Sequence, residues 1–427
     1  MEEAGRADRE LAAGIDRGPL HGIPYALKDI CSTRGVPTTC QSKVKPIWNS
    51  DIDCTVQEKL QNAGGILLGK LNTHEFAIGG PSFDLPYPPA RNPWNLEYFT
   101  GASSSGAGAA VAAGLVRIAI GSDTSGSIRT PACHCGTVGM KPTYGRVSCH
   151  GLFPLSFSMD HCGPLAWTVE DAALALGVIA GHDPRDPASE PATAGDFTRS
   201  MEQGIRGVRI GLIRNFLAPR ESPSAEVVQA IESAASKLME LGAEVDEVHL
   251  PDLDLFNACG KVIMMAEAYA IHEEDLKRRP GDYGRYAFQR LVAGAAISGA
   301  DFVQACRLRR ELSGIVNRDI LAKYEALIAP VALAPPPRLS DFPVDWPPPK
   351  ALNSTATTPF NVTGNPALAL PVGFSREGLP LGMQVVGRAF AEETVFRIGG
   401  AYERATRWNT RRPPVASATS GAHRIMR

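Results

Sequence analysis

Three short segments of the sequence hold the polar residues that could perform nucleophilic chemistry. Residues 18–29 read GPLHGIPYALKD and include Lys28, residues 100–108 read TGASSSGAG, and residues 121–131 read GSDTSGSIRTP. A serine hydroxyl is a poor nucleophile until a base takes its proton. Two serine-rich runs and a lysine therefore indicate acyl transfer, with a serine as the nucleophile and the lysine as the base.

A lysine can be this base only when its amine is neutral. At its ordinary pKa of about 10.4, roughly one lysine in 2,500 is neutral at pH 7. A pKa of about 7 requires that the ammonium be disfavoured by roughly 4–5 kcal/mol, which burial can supply. Lys28 follows the apolar run IPYAL, which is typical of a buried strand end. Neither serine run contains the Gly-x-Ser-x-Gly elbow of α/β-hydrolases, which disfavours their triad.

Each segment alone has a simpler interpretation. Gly/Ser runs are usually loops, a lysine after an apolar strand is usually a surface charge, and a Gly/Ser loop can bind phosphate through its N–H groups. The joint occurrence of the three segments favours catalysis.

Two other patterns resemble cofactor sites and are discounted. Residues 64–70 imitate a phosphate-binding loop, but Leu71 stands where its hydroxyl residue belongs. A cluster of thiols and imidazoles lacks a clean Cys-x₂-Cys pair for zinc, and it comprises Cys133, His134, Cys135, Cys149, His150, His161 and Cys162. We therefore expect no cofactor and no metal.

The third segment continues into CGTVGMKPTYGRVS at 135–148, and further short motifs follow near the end of the chain. These are TPFN at 358–361, GNPA at 364–367 and GLPLGMQ at 378–384. In this combination the chain resembles the amidase signature family, from about residue 18 to 181 and from about 356 to 411.

The resemblance implies a role for each site residue. Lys28 is the general base, Ser103 is a relay held by a cis peptide bond, and Ser127 is the nucleophile. The oxyanion donors are the backbone N–H groups of Thr124, Ser125, Gly126 and Ser127. Positioning is expected from Ser104, Asp123 and Arg129, and contact with the substrate from Ala77, Ile78 and Gly79. His74 and Glu75 are interpreted as loop contacts near the pocket rather than as an acid–base pair.

The sequence departs from the family pattern in both serine runs. Ala102 and Ser105 replace glycines in the first run, and Ser125 replaces a glycine beside the nucleophile. If the family conformation needs a positive φ at position 125, Ser125 carries strain of roughly 1–2 kcal/mol.

The implied function is hydrolysis of amide C–N bonds through an acyl-Ser127 intermediate, with carbamates (urethanes) and esters as further substrates. One alternative is the glutaminase subunit of a tRNA-dependent amidotransferase, which needs a partner subunit. Against it, His74 stands where that subunit typically has aspartate, and SFSMD at 156–160 looks more like stand-alone amidases. Another alternative is an inactive binding protein, which the presence of all three catalytic side chains disfavours.

The elements around these motifs alternate between strands and helices. Strands are predicted at 64–69, 115–121, 207–213, 244–250, 367–372 and 381–386, and helices at 108–114, 168–180, 224–242 and 390–406, with a mostly helical stretch at 253–323. This pattern predicts an α/β fold. The resemblance specifies a mixed central β-sheet flanked by α-helices on both sides, in one large domain over residues 1–412. Residues 190–350 form its variable, pocket-capping region with an apolar entrance, and 413–427 form a disordered tail.

Composition excludes several classes of protein. Lys plus Arg is 43 against 45 for Asp plus Glu, a net charge of −2, which disfavours a nucleic-acid surface. No apolar stretch reaches the roughly 18 residues of a membrane span, and the charged start is not a signal peptide, so a cytoplasmic protein with nine reduced cysteines is expected. Only 27 residues precede Lys28, fewer than the resemblance leads us to expect, which predicts an exposed apolar patch or a homodimer contact.

Overall fold

The computed structural model describes residues 1–44, 51–218, 223–343 and 355–415. Part of the variable region around Trp346 lies outside these residues, and so does the predicted tail from residue 416 onward. Within the described part of the chain, no single helix is both long and apolar enough to cross a membrane.

The described chain contains ten strands in a single sheet. They are β1 Pro24–Lys28, β2 Ile66–Leu71, β3 Ile118–Asp123, β4 Val138–Lys141, β5 His161–Ala166, β6 Arg209–Ile213, β7 Glu244–Val248, β8 Ala326–Pro330, β9 Ala367–Phe374 and β10 Pro380–Gly387. Their order across the sheet is β2-β1-β3-β5-β4-β9-β10-β8-β6-β7. The pairs β1/β2, β1/β3, β6/β7 and β6/β8 are parallel and the others antiparallel. The predicted mixed sheet is therefore confirmed.

Eleven α-helices accompany the sheet in the described residues. They are α1 Glu2–Ala12, α2 Thr55–Asn62, α3 Ser105–Ala112, α4 Arg129–Cys135, α5 Val169–Ile179, α6 Ala225–Glu240, α7 Leu253–Arg278, α8 Arg285–Ala293, α9 Gly299–Gly314, α10 Pro359–Val362 and α11 Glu392–Thr406. The helix predicted at 168–180 begins where its cap requires, because Thr168 Oγ1 accepts a hydrogen bond from the Asp171 N–H at 3.1 Å.

Helices cover both faces of the sheet, as β9 shows. Successive strand residues point to opposite faces. Ala369 packs in one apolar cluster with Ala132 and Cys133 of α4, whereas Leu368 meets α11 at Gly399. The two layers of helices therefore enclose the sheet as predicted.

Strand β5 was not predicted, because its sequence HCGPLA contains a proline and a histidine and reads as a loop. Strand β4 pairs with β5 only at Ala166 and Leu165. Pro164 lies outside this pairing, so its lack of an N–H costs no hydrogen bond to β4. On its other side, Pro164 lies opposite Ile120 of β3. Tertiary pairing here overrides the local pattern.

Helix α3 is built from small residues because it lies close to neighbouring backbone. A Cβ atom at Gly106 would lie 2.5 Å from the backbone nitrogen of Asn72, and one at Gly108 would lie 2.9 Å from the Pro131 carbonyl oxygen. The Gly106 N–H donates to the Asn72 carbonyl at 2.9 Å. This close approach fixes the loop that carries Ser103 against the end of β2.

Replacing Gly106 with alanine should therefore destabilise the protein. The added methyl group forces the α3 and Asn72 backbones apart, and such overpacking typically costs about 1–3 kcal/mol. We expect Gly106→Ala to lower the melting temperature by several degrees in a thermal denaturation experiment.

The matched control is Gly299→Ala, because Gly299 is also a helical glycine but an added Cβ has no neighbour within 4 Å. Its melting temperature should stay the same or rise. Equal melting temperatures for the two variants would contradict the packing argument.

Candidate active site

The ends of two parallel strands bring the first catalytic candidates together. Strand β1 ends at Lys28 and β3 ends at Asp123, and their register places Leu27 opposite Ile120. Loops that follow the carboxyl ends of parallel strands meet at one edge of the sheet, where α/β proteins usually bind ligands. Lys28 therefore lies beside Ser122 and the start of the serine loop.

The Lys28 side chain is completely buried and donates two hydrogen bonds. Its Nζ lies 2.6 Å from Ser103 Oγ and 2.9 Å from Ser122 Oγ. Burial lowers the pKa of Lys28 to about 7, against the smaller opposing effect of Cys31, Asp160 and other nearby acidic groups. A large fraction of this lysine is therefore neutral near pH 7, as a general base requires.

Of the three consecutive serines Ser103, Ser104 and Ser105, only Ser103 has its hydroxyl hydrogen-bonded to Lys28. Ser104 Oγ donates to the Ser122 carbonyl at 3.1 Å, and Ser105 Oγ donates to Asn72 Oδ1 at 3.2 Å. The peptide bond between Ala102 and Ser103 is cis, as the resemblance implied. The Ser103 carbonyl accepts hydrogen bonds from the His74 N–H and the Thr73 hydroxyl, both at 3.1 Å.

Ser127 lies half-buried at the start of the turn that leads into α4. The Ser104 N–H donates to the Ser127 carbonyl at 3.1 Å, which joins the two serine loops. Among the described contacts the hydroxyls of Ser103 and Ser127 are not hydrogen-bonded to each other. Both line one cavity of about 110 Å³. Its other walls are Ala77, Ile78, Gly79, Phe99, Ala102, Thr124, Ser125, Thr130, His134, Leu155, Asn257, Lys261, Met264, Arg290, Thr355 and Thr358.

The carboxylate of Asp123 shapes the predicted oxyanion loop. Asp123 Oδ1 accepts the Gly126 N–H at 2.7 Å, and Oδ2 accepts the Ile128 N–H at 3.1 Å. The Gly126 N–H is therefore already engaged. The geometry narrows the predicted oxyanion donors to the N–H groups of Thr124, Ser125 and Ser127, for which the described residues provide no acceptor.

Ser125 does not carry the strain that was considered for it. It is not among the residues with positive φ, because Gly126 takes that conformation instead with φ +124°. A Cβ atom at Gly126 would lie 2.3 Å from Thr357 Oγ1, so only glycine fits there. The Ser125 hydroxyl is hydrogen-bonded to Thr358 Oγ1 at 2.7 Å. The replaced glycine is thus accommodated without a left-handed serine.

Arg129 holds Asp123 in place and is itself fully buried. Its Nε and Nη2 donate to the two carboxylate oxygens of Asp123, each at 3.0 Å, and its Nη1 donates to Gln384 Oε1 at 2.7 Å. Further bonds reach the Thr357 carbonyl and Asn361 Oδ1. Burial alone would raise the pKa of Asp123, but the Arg129 guanidinium outweighs it and holds the pKa well below the usual range.

His74 and Glu75 are buried beside the site but are not among the cavity walls. His74 Nδ1 lies 3.2 Å from the Gly79 carbonyl, and burial lowers the pKa of this imidazole to about 3. Glu75 accepts hydrogen bonds from Ser42 Oγ at 2.6 Å and from the Gly284 N–H at 2.8 Å, and burial raises its pKa to about 8. Their contacts are those of loop-holding residues.

The structure also assigns positions in the site that the sequence analysis missed. Ser122 accepts the second hydrogen bond of Lys28 but was given no role in the serine-rich segment 121–131, and His134 was considered only as a zinc ligand. Helices α7 and α8 contribute Lys261 and Arg290 in addition to Met264. The expectation of an apolar entrance was therefore incomplete, because the amphipathic pattern of a helix does not reveal which polar residue will face a cavity. Nowhere in the described ranges do three or more His, Cys, Asp or Glu residues form a group that could hold a metal ion.

Comparison with known proteins shows the family to which the chain belongs. The family model described as Amidase matches residues 1–396. The chain therefore belongs to the amidase family and is an enzyme that acts on carbon–nitrogen bonds.

Among its relatives is a glutamyl-tRNA(Gln) amidotransferase subunit from Moorella thermoacetica, with 38% identity over 98% of this chain and 90% of the relative. The crystal structure of the corresponding subunit from Thermotoga maritima has a TM-score of 0.80 at 36% identity, covering 90% of this chain and 83% of that one. A bacterial aryl acylamidase has a TM-score of 0.86 at 28% identity, covering 98% and 89%.

The buried state of Lys28 predicts a pH dependence for the reactivity of Ser127. Because the pKa of Lys28 lies at about 7, the neutral base accumulates as the pH rises through that value. The rate at which a fluorophosphonate probe labels Ser127 should increase with pH, reach half its maximum near the same value and then level off.

Two variants isolate the source of this pH dependence. Lys28→Ala should abolish the rise, whereas Lys59→Met should retain it, because the half-buried Lys59 amine contacts the Ala180 carbonyl outside the cavity. A wild-type midpoint near the ordinary lysine pKa of about 10.4 would contradict the assignment.

Proposed function

We propose that this protein hydrolyses amide C–N bonds through an acyl-Ser127 intermediate, with Ser103 as the relay and Lys28 as the general base. The observation that carries the proposal is the fully buried Lys28 amine, which lies 2.6 Å from the Ser103 hydroxyl in a site whose cavity also exposes Ser127. A buried lysine bonded only to hydroxyls has the protonation behaviour that this role needs.

The reaction follows from the order of these groups. Neutral Lys28 takes the proton of Ser103, which takes the proton of Ser127 as its oxygen attacks the substrate carbonyl. The oxyanion that forms is stabilised by the N–H groups of the 124–127 loop, where one donor is typically worth about 3–4 kcal/mol. Collapse breaks the C–N bond, and Ser103 returns a proton to the leaving nitrogen. Water then releases the acid from Ser127 by the same proton path.

For the substrate, the comparisons favour the glutaminase subunit over the stand-alone amidase that the sequence analysis placed first. The curated relatives at 37–39% identity are subunits of glutamyl-tRNA(Gln) amidotransferases, and they align with 96–98% of this chain. In this candidate function the chain releases ammonia from glutamine beside partner subunits. The polar walls of the cavity, including Lys261 and Arg290, are compatible with such a polar substrate.

A stand-alone amidase is the second candidate, and backbone similarity favours it. The aryl acylamidase superposes with a TM-score of 0.86, against 0.80 for the amidotransferase subunit, despite its lower sequence identity. In this candidate function aryl or alkyl amides, carbamates and esters are all substrates, because one acyl-enzyme mechanism serves all three. A homodimer is the assembly proposed for this case.

Substitution of the serines tests the proposed chemistry. Ser127→Ala should abolish labelling by a fluorophosphonate and reduce amide hydrolysis by about 10⁴-fold or more, because it removes the attacking atom. Ser103→Ala should slow both by roughly 10²–10⁴-fold through loss of the proton relay.

Ser105→Ala is the control for this series, because the Ser105 hydroxyl contacts Asn72 rather than Lys28. Its activity should remain close to that of the wild-type protein. An active Ser127→Ala protein, or equal losses in the Ser103 and Ser105 variants, would disprove the assignment of roles.

The two candidate substrates are separated by the effect of partner subunits. The chain should be assayed on glutamine and on a panel of aryl and alkyl amides, first alone and then with the remaining amidotransferase subunits of the same organism. We expect glutamine hydrolysis to rise by about tenfold or more in their presence, a coupling of roughly 1.4 kcal/mol. Full activity of the isolated chain on alkyl or aryl amides, with no response to the partners, would favour the second candidate.

A further inference from the structure

One wall of the cavity carries a buried polar side chain that the proposed reaction does not use. His134 is 4% exposed, and neither of its ring nitrogens has a hydrogen-bond partner among the described residues. Its ring meets Phe99 edge-to-face, with the two centroids 6.1 Å apart. A buried polar group without a partner typically costs about 1–3 kcal/mol, and a ligand that supplies the partner regains this energy.

The position of His134 relative to the nucleophile is set by helix α4. Thr130 and His134 are four residues apart and share one helix face, and both line the cavity together with Ser127. Within α4, the rise of 1.5 Å per residue places His134 about 8 Å along the helix axis from Arg129, and Ser127 lies two residues before the helix begins. His134 therefore lies on the cavity wall at a distance from Ser127, where it can contact a part of the substrate remote from the scissile carbonyl.

The helix backbone holds His134 firmly in this position. Asn92 Nδ2 donates to the His134 carbonyl at 2.8 Å, and Trp94 Nε1 donates to the Cys135 carbonyl at 2.7 Å. At the other end of α4, Arg129 is anchored by its bonds to Asp123 and Gln384. A side chain on so fixed a backbone can discriminate between substrates by distance.

The imidazole of His134 is neutral at ordinary pH. Burial lowers its pKa to about 4, with no neighbouring charge contributing to the shift. A neutral imidazole offers one N–H donor and one nitrogen acceptor. A hydroxyl or an amide group can satisfy either of these, whereas a methyl group leaves both unpaired.

We infer that His134 is a specificity-determining residue, which hydrogen-bonds to a polar group that the substrate carries about four to six carbon atoms from its scissile carbonyl. The preferred substrates are then amides with a hydroxyl or amide group at the far end, rather than plain alkyl amides. This inference rests on the proposed acyl transfer at Ser127 and concerns the stand-alone amidase, because glutamine carries ionised groups rather than a hydroxyl or an amide at its far end.

The test compares two substrates of matched length in wild-type and variant enzymes. Hexanamide and 6-hydroxyhexanamide differ by one uncharged hydroxyl, so charge–charge attraction to Lys261 or Arg290 does not enter their ratio, and the His134 variants separate the imidazole from any hydrogen bond that these cations donate. For the wild-type protein we expect kcat/KM to be about tenfold or more higher for the hydroxylated amide. His134→Phe should bring this ratio close to one, and His134→Gln, which keeps a donor and an acceptor, should restore part of it.

Cys135→Ala is the matched control, because Cys135 is the next buried residue of α4 but does not line the cavity. It should keep the wild-type ratio. A ratio that His134→Phe leaves unchanged would overturn the inference, whether the individual rates fall or stay the same, because it would mean that the ring only packs against its neighbours.

A second readout separates this inference from the proposed function. Labelling rates of Ser127 can be measured with fluorophosphonates that carry a hexyl or a 6-hydroxyhexyl chain, independently of amide turnover. A preference for the hydroxylated probe that depends on His134, in a protein that hydrolyses no amide, would support the inference and contradict the proposed function. Amide hydrolysis with no preference between the hexyl and 6-hydroxyhexyl probes would support the proposed function and contradict the inference.

Discussion

The ion pair between Asp123 and Arg129 is the interaction on which the rest of the site depends. It links the end of β3 to the start of α4, and its outer bonds reach Asn361 and Gln384 near the far end of the chain. The same carboxylate takes the Gly126 N–H and so shapes the loop that presents Ser127. Removing one partner of such a buried pair leaves an uncompensated charge, which typically costs about 3–5 kcal/mol. The pair therefore links β3 to α4 and also fixes the conformation of the loop that carries Ser127.

Burial has opposite outcomes for the two central charges of the site. Asp123 keeps its charge because the guanidinium of Arg129 and several N–H groups compensate for the lost water. Lys28 has only hydroxyl acceptors within hydrogen-bonding distance, and so burial lowers its pKa to about 7. The difference lies in the partners rather than in the depth. A sheet edge can therefore hold a permanent anion and a neutral base side by side.

Local patterns in the sequence predict much of this structure. The apolar runs before Lys28 and Asp123 predict strands that end at the site, and the resemblance to the amidase signature family selects Ser103 and Ser127 among the hydroxyls of the serine motifs. The strand that contains Pro164 cannot be predicted in this way, because its pairing with neighbouring strands determines its conformation. The same is true of Gly126 and His134, whose roles depend on Thr357 and Phe99, residues far away in the sequence. Contacts between distant segments leave no periodic signal in either one.

The anchoring of Arg129 also has a consequence for when the enzyme can become active. Lys28, Ser103 and Ser127 all leave the ribosome early, within the first third of the chain. Besides Asp123, the groups that hold Arg129 come from Thr357, Asn361 and Gln384, which lie in the last fifth of the sequence. A nascent chain therefore contains every proposed catalytic side chain long before it contains these three partners of Arg129.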